Sequence, residues 1–238
     1  MKNILVLTDF SENATNAAFY ALNLFKNDSH KFTLINAFDK PHPQKDLLIS
    51  VHDILFKEAE KKLKDEQKKL SAVFEKPFIE IHPRSEEISS EESLAYLLRK
   101  AKILLVVIGI KSNEKPLSPI YSMLMQQAWS PLLLVPDHAH FSEPKEIFVV
   151  ASDTKIKGFE IKRGLHKICT PKNNINQLIF HKEDTENYWI DLLKKMRDLH
   201  QITKIIFVIS QGDVLDQAIR QHQIDKLFSL MPILIIRL

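Results

Sequence analysis

Apolar residues in this chain fall into two patterns that alternate along its length. Short aliphatic runs have the length of buried strands, and the stretches between them have apolar residues at every third or fourth position, as in amphipathic helices. The runs in the first 137 residues predict strands at Ile4–Leu7, Phe32–Ala37, Phe78–Ile81, Ile103–Ile108 and Leu132–Val135. This alternation predicts a doubly wound α/β fold with a parallel sheet covered on both faces.

Four helices are predicted between these strands. Ser11 can cap the first, whose sheet-facing stripe is made of small and apolar residues: Ala14, Ala17, Ala18, Ala21, Leu22 and Phe25. The second extends from about Leu48 to Phe74, with a predicted buried stripe of Val51, Leu55, Ala59, Leu63, Leu70 and Phe74. Its outer face holds acid–base pairs four residues apart: Glu58/Lys62, Glu60/Lys64 and Asp65/Lys69. The shorter helices are predicted at Ser93–Arg99, after an acidic segment Ser85–Glu92, and at Pro119–Ala128.

The second half of the chain repeats this pattern. Ile147–Ala151 followed by Ser152 and Asp153 restates the first strand followed by Thr8 and Asp9. Further strands are predicted at Gln177–His181, Ile205–Ile209 and Ile233–Ile236. Helices are predicted after Thr154 through Ile161, Leu165 and Ile168, and at Tyr188–Leu199 and Asp213–Gln221.

The spacing of matching positions supports an internal repeat that has been shortened. Ile108 and Pro131 are 23 positions apart, as are Ile209 and Pro232. Upstream of these pairs the second half is 43 residues shorter, which predicts the loss of the third strand and third helix. We therefore predict two domains, 1–137 and 145–238, related by a pseudo-two-fold axis and joined by a polar linker at Asp137–Pro144.

Composition and charge exclude several classes of protein. A hydrophobic content of 45% and a net charge of +3 are ordinary for a globular protein and give no indication of nucleic-acid or membrane binding. The N-terminal residues lack the pattern of a signal peptide, and the longest apolar run, Ile103–Ile110, is too short to span a membrane. Cys169 is the single cysteine, so a disulfide framework is excluded. We expect a cytoplasmic protein.

Motifs for catalysis or metal binding are missing from the sequence. There is no HExxH, GxSxG, GxGxxG or Walker loop, and no nucleophile is matched with a base. His138 and His140 are interpreted as linker residues, and the glutamates before the third predicted helix as acids at a helix start. The sequence predicts no catalytic residue, no metal site and no enzyme activity.

Two segments resemble a known family. Ile4-Leu5-Val6-Leu7-Thr8-Asp9-Phe10-Ser11-Glu12-Asn13 resembles the opening of a universal stress protein, and Ser130-Pro131-Leu132-Leu133-Leu134-Val135-Pro136 resembles the fifth strand of that family. The resemblance implies a five-stranded parallel sheet of order 3-2-1-4-5, with ATP bound at the carboxyl ends of the strands. It also implies that the last strands of the two halves pair, which would make an intramolecular pseudo-dimer. Further association into a homodimer is left open.

The phosphate-binding loop of that family is degenerate here. The family pattern has three glycines after the fourth strand, and this chain has only Gly109, followed by Pro116 and Pro119, which lack amide donors. The whole chain contains four glycines. In the second half, Gly212-Asp213 follows the corresponding strand, and the acid would repel phosphate. A residual nucleotide site is predicted from Thr8, Asp9, Ala37 and Gly109.

Two functions remain open from the sequence. The first is a non-catalytic binding or scaffold protein of the stress-response type, without ATP bound in the family's usual way and with the old pocket filled by side chains such as Phe10, Phe38 or Met123. The second is a sensor of AMP, adenosine or another nucleotide, with ATP or AMP as ligand and an open pocket beside Asp9. An enzyme acting on nucleotides has no motif support.

Overall fold

One β-sheet of nine strands forms the middle layer of the computed structural model of the chain. The structure describes residues 2–26, 30–38, 51–74, 79–88, 90–111, 119–126, 130–141, 147–151, 175–179, 186–200, 205–209, 214–221, 225–228 and 230–237. The strands are β1 (Lys2–Leu7), β2 (His30–Phe38), β3 (Ile79–Glu87), β4 (Ile103–Ile110), β5 (Leu132–Pro136), β6 (Ile147–Ala151), β7 (Ile175–Ile179), β8 (Ile205–Ile209) and β9 (Ile233–Arg237). The helices are α1 (Glu12–Leu24), α2 (Val51–Val73), α3 (Glu91–Lys100), α4 (Pro119–Gln126), α5 (Glu186–His200), α6 (Val214–Arg220) and α7 (Asp225–Phe228).

The strand order confirms the predicted α/β fold. Across the sheet it reads β3-β2-β1-β4-β5-β9-β8-β6-β7, so the first five strands have the predicted order 3-2-1-4-5. Neighbours are parallel at every pairing except β5 with β9. The second half therefore contributes four described strands, in the order β9-β8-β6-β7.

The antiparallel pairing of β5 with β9 joins the two halves of the sheet. Leu132 lies opposite Ile235, Leu133 opposite Leu234 and Leu134 opposite Ile233. These six side chains are all buried. Cross-strand aliphatic pairs of this kind stabilise a sheet by packing on both faces, so the junction is part of the core.

The helices form a layer on each face of the sheet. On one face, α1 and α2 pack through small and aliphatic residues, among them Ala17, Ala21 and Leu63. On the other face, α3 and α4 share a cluster with residues of α5, α6 and α7, including Trp189 and Phe228. The predicted small-residue stripe of α1 is buried, as expected for a helix close to a sheet. Its Tyr20 is also enclosed, and burial raises the pKa of that phenol.

Strand β3 is longer than the predicted Phe78–Ile81. It pairs with β2 as far as Glu87 and so includes Ser85–Glu87. From the sequence, these residues were placed in an acidic segment that precedes the third helix. The strand lies at the edge of the sheet, where Pro83 is tolerated because its missing N–H is needed by no outer neighbour. Charged side chains on an edge strand also discourage pairing with other chains.

The buried stripe of α2 is shorter than predicted. Ala59, Leu63 and Leu70 are buried, but Leu55 is 41% exposed, so the prediction for Leu55 was wrong. Burial along this helix begins at Ala59, and the described residues before it are exposed or half-buried. The Glu58–Lys62 pair forms on the outer face at 2.8 Å, whereas Asp65 lies nearest to Lys68.

The described part of the predicted linker packs on the fold. Asn16 Nδ2 donates to the carbonyl oxygens of Pro136, Asp137 and Ala139. Ala139 is buried, and the Phe141 ring meets Tyr20 edge-on at 5.5 Å between centroids. Asp137, His138 and His140 are exposed, as expected for a polar segment, whereas α1 supplies a hydrogen-bond donor to its backbone and an apolar contact to Phe141.

Several predictions fall on residues outside the described ranges. They concern the helix through Ile161, Leu165 and Ile168, its preceding residues Asp153 and Thr154, Cys169, the loop after Lys111 and the Gly212-Asp213 pair. In the second half, β7 begins two residues before the predicted Gln177, and the short helix α7 was not predicted. Among the described helices, none is both long and apolar enough to cross a membrane.

Arg220 connects helices of the two halves. Its Nε lies 2.8 Å from Asp216 Oδ2, and its guanidinium also donates to the Gln126 carbonyl oxygen at the end of α4. Asp216 is only 1% exposed, so its charge depends on nearby groups for compensation.

We expect Arg220→Ala to lower the free energy of unfolding by about 3 kcal/mol, because it removes the cation beside a buried carboxylate. Urea unfolding followed by circular dichroism measures this. Arg99→Ala, an exposed arginine on α3, is the matched control and should change stability by less than about 0.5 kcal/mol. Equal losses in both variants would contradict the role of the Arg220–Asp216 pair.

Candidate functional site

The carboxyl end of β1 is fixed by backbone and side-chain hydrogen bonds around Thr8. The Thr8 amide donates to the Ile35 carbonyl oxygen on β2 at 2.9 Å, and Asn36 Nδ2 donates to the Thr8 carbonyl oxygen at 2.9 Å. The Phe10 amide donates to Thr8 Oγ1 at 3.0 Å. Thr8 is thus held from both the strand side and the turn side, and its side chain is buried.

Asp9 and Ser11 form the turn into α1. Asp9 Oδ1 accepts from the Ser11 amide at 2.9 Å, and Ser11 Oγ accepts from the Ala14 amide at 3.2 Å as the helix cap. Between them, Phe10 has a φ of 66°, which is unusual for a residue with a bulky side chain. Asp9 is exposed, so its carboxylate both stabilises the turn and faces solvent.

Gly109 lies directly against the start of α1. A Cβ atom at this position would be 2.6 Å from the Asn13 carbonyl oxygen and 3.1 Å from the Ala14 amide nitrogen. Real Cβ atoms do not approach backbone so closely, so a glycine is required for α1 to pack on β4. The need for glycine is explained by this packing, whether or not a ligand binds here.

Ala37 is separated from these residues by the sheet itself. It lies near the end of β2, in register with Glu86 of β3, and its half-buried side chain packs with the cluster on the α3 face. Glu66, Thr15 and the start of α1 are on the opposite face. The structure therefore brings Thr8, Asp9 and Gly109 to the start of α1, whereas the side chain of Ala37 packs on the opposite face of the sheet.

A buried carboxylate from α2 reaches the same place. Glu66 is 5% exposed; its Oε2 accepts from Thr8 Oγ1 at 2.9 Å and its Oε1 from Thr15 Oγ1 at 2.9 Å. Thr15 is in the first turns of α1, so the Glu66 charge lies near the positive end of the helix dipole. Each oxygen of the carboxylate therefore has a hydroxyl donor from the protein, without a ligand.

Sequence reasoning missed Glu66, although a signal was present. The buried stripe of α2 has Leu63 and Leu70 but no apolar residue at the intervening turn, where Glu66 lies three positions after Leu63. An acid on the apolar face of an amphipathic helix indicates a buried polar partner. The partner could not be identified from the sequence, because Thr8 is 58 positions away.

Phe10, Phe38 and Met123 were expected to fill the nucleotide pocket of the family, and the structure describes two of these three side chains. Phe10 is half-buried against the α1–α2 cluster, with Lys62 Nζ 5.6 Å from its ring centroid. Met123 packs on the opposite face of the sheet, and the side chain of Phe38 lies outside the described residues. In the part of the chain that is described, no three His, Cys, Asp or Glu side chains are grouped as metal ligands would be.

Comparisons with known proteins agree with this architecture. The Universal stress protein family matches residues 1–136. A universal stress protein from Archaeoglobus fulgidus DSM 4304 superposes with a TM-score of 0.62 at 12% identity, covering 99% of this chain and 98% of that one. A functionally unknown protein from Pseudomonas aeruginosa PAO1 gives a TM-score of 0.50 at 10% identity, covering 100% and 92%. No curated protein sequence gives a significant match to the chain.

We expect Gly109→Ala to lower the free energy of unfolding by about 2 kcal/mol, because α1 must shift away from the added methyl group. Thermal and urea unfolding of the purified variant test this. Unchanged stability would mean that the backbone of Asn13 does not restrict this position.

We expect Glu66→Ala to destabilise the fold by about 2 kcal/mol, because the buried Thr8 hydroxyl loses its acceptor, while the Thr15 hydroxyl keeps the Ser11 carbonyl oxygen at 3.2 Å. Glu66→Gln keeps one acceptor oxygen and should cost less. Glu60→Ala, an exposed acid on the same helix, is the control and should be close to neutral. A Glu66→Ala loss no greater than that of the control would contradict a structural role for this carboxylate.

Proposed function

Because the chain belongs to the universal stress protein family, we propose that it is a non-catalytic binding or scaffold protein of the stress-response type, acting in the cytoplasm, that does not bind ATP in the family's usual way. The observation that carries this proposal is the Glu66 carboxylate, buried against Thr8 and Thr15 at the start of α1. It gives the predicted nucleotide site a fixed negative charge.

Electrostatics at the start of α1 argue against a bound triphosphate. A helix N-terminus attracts an anion, but here the Glu66 carboxylate already lies close to that end of α1. Asp9 adds a second carboxylate at the end of β1. Glu66 is buried, so its charge repels a further anionic group more strongly than it would in water, and the exposed Asp9 adds a weaker, screened repulsion.

The sequence of the phosphate loop supports the same conclusion. After Gly109 the chain lacks the further glycines of the family pattern, and Pro116 and Pro119 cannot donate amide hydrogen bonds. Gly109 itself has a packing reason to be glycine. Its presence is therefore weak support for a retained phosphate site.

The proposal includes a pseudo-dimer within one chain, formed by domains 1–137 and 145–238. It is supported by the antiparallel β5–β9 pairing and by the α4–α6 contact through Arg220. A shortened second unit is supported by the order β9-β8-β6-β7, which corresponds to order 5-4-1-2 of the first half. In this arrangement, the last strand of each half covers the edge through which the other could associate.

One observation favours the alternative, a sensor of AMP, adenosine or another nucleotide. Asn13 is buried beside Gly109, and its Oδ1 accepts no hydrogen bond from the residues that the structure describes. A buried acceptor left without a donor is unfavourable, and a donor group of a ligand would satisfy it. A neutral nucleoside would also avoid the repulsion that Glu66 and Asp9 exert on phosphates.

Calorimetric titration with ATP, AMP and adenosine, with and without magnesium, separates these functions. We expect no ATP binding in either condition. Low-micromolar ATP binding that is lost in Asp9→Ala would overturn the proposal. Binding of AMP or adenosine without ATP, weakened in Asn13→Ala, would establish the alternative. Nucleotide turnover that depends on Asp9 would overturn the non-catalytic assignment.

A further inference from the structure

A second cleft lies between α3 and the edge of the sheet, away from Thr8 and Gly109. Its volume is about 730 Å³, within the range of sites for small organic ligands. Asn3, Lys31 and Thr33 form its floor near the amino ends of β1 and β2. One wall is the α3-facing side of β3, and the other is α3 with the turn at Ala101–Lys102.

Positive charge is concentrated at one end of this cleft. Lys31, Lys100 and Lys102 line it, and no described carboxylate is within ion-pairing distance of any of the three. The acid in register with Lys31 is Glu80, which contacts His82 at 3.1 Å and offsets only part of the charge of the three lysines.

The other acids lie along the β3 wall towards the carboxyl end of that strand. Arg84 pairs with Glu86, so neither contributes a net charge. Glu87 also lines that end. The lysine end of the cleft therefore has a net positive potential, which favours an anionic ligand.

Lys102 is held in an unusual backbone conformation at this end. Its φ is 49°, in the left-handed region that glycine normally occupies after a helix. The Lys102 amide donates to the Arg99 carbonyl oxygen, which ends α3. A lysine here adds backbone strain where glycine would relieve it, and such strain is often found at binding sites.

Polar contacts from the sheet fix this turn. Asn3 Nδ2 donates to the Ala101 carbonyl oxygen at 3.0 Å, and Thr33 Oγ1 donates to Asn3 Oδ1 at 3.1 Å. This chain of hydrogen bonds connects β2, β1 and the end of α3. It positions Lys102 relative to Lys31 before any ligand arrives, which lowers the cost of ordering the site.

The wall of the cleft also offers an aromatic surface. Tyr96 is 60% exposed, and Lys100 Nζ lies 5.3 Å from its ring centroid. Pro83 and Leu97 add apolar area nearby. A ligand with an anionic group and an apolar or aromatic body matches both parts of the lining.

We propose that this cleft binds a small organic phosphate whose phosphate group lies among Lys31, Lys100 and Lys102 and whose body packs on Tyr96. Lysine ammonium groups are point charges that suit a dianionic phosphate. The site is independent of the proposed function, because it shares no residue with the start of α1.

Phenyl phosphate is a suitable probe, followed by amide chemical shifts of the full chain. We expect saturable shifts confined to residues near 31–33, 82–88 and 96–102, with a Kd of about 1 mM or tighter, as its few atoms allow. Inorganic phosphate, which lacks the ring, and phenol, which lacks the charge, should each bind more weakly. Affinity should fall as sodium chloride is raised, since the interaction is between charges near the surface.

Lys102→Gly separates a binding role from a structural one. We expect it to bind phenyl phosphate about fivefold more weakly while raising the melting temperature, because glycine relieves the positive φ. Lys31→Gln should also weaken binding without loss of the folded spectrum. Lys57→Gln, an exposed lysine on α2, makes the same change of net charge and should leave the affinity unchanged.

Three results would overturn the proposal. The first is the absence of saturable shifts. The second is a set of shifts centred on residues 8–15 and 109, which would place the probe at the start of α1. The third is equal weakening by Lys57→Gln and Lys102→Gly, which would show a response to overall charge only.

Discussion

The antiparallel contact between β5 and β9 determines how the rest of the structure is arranged. Each strand is short and aliphatic, and each would otherwise leave an apolar edge with free backbone groups exposed to water. Pairing them buries the side chains and satisfies the backbone of both. Because the pairing is antiparallel, the parallel strands of the two halves run in opposite directions. The carboxyl ends of the first set therefore lie at the same side of the sheet as the amino ends of the second set. The carboxyl end of β1 is therefore remote from the carboxyl end of β6.

The start of α1 is in contact with several other elements of the first half. Gly109 allows the α1 backbone to lie against β4, and Asn16 on the same helix holds the chain beyond β5. Glu66 adds a contact from α2 to both β1 and α1. A polar group buried by three elements stabilises one arrangement of them, since any displacement leaves hydroxyl or carboxylate atoms unpaired. The carboxylate that stabilises the packing of these elements therefore lies where an anionic ligand would bind at the start of α1.

Local pattern was enough to predict most of the strands, whereas the order of the first five came from the resemblance to the universal stress protein family. β4 and β5 are nearly continuous aliphatic runs, which is the composition expected of a strand whose two faces are both buried. Prediction failed where the outcome depended on distant partners. β3 extends through Ser85–Glu87 because β2 continues beside it, and the Ala139 carbonyl oxygen is held by Asn16, which is 123 positions away. Of the site, Thr8 and Asp9 were identified from the opening motif, whereas Glu66 required knowledge of which helix covers Thr8.

The position of the basic cleft follows from the topology of the fold. In open parallel sheets, ligands usually bind at the carboxyl ends of the strands, where the crossover loops leave a crevice. Here that end of β1 is occupied by a carboxylate from α2.

On the opposite face, α3 connects the edge strand β3 to β4 and so crosses the sheet, with the side chains of β2 and β3 beside it only partly covered. The residues left there are charged because an edge strand facing water needs polar side chains. The end of α3, with its carbonyl groups and negative dipole, then favours lysines at positions 100 and 102. The helix end thus accounts for Lys100 and Lys102, whereas Lys31 is contributed by β2, next to the edge strand, and a lysine at the left-handed position 102 is explained by neither.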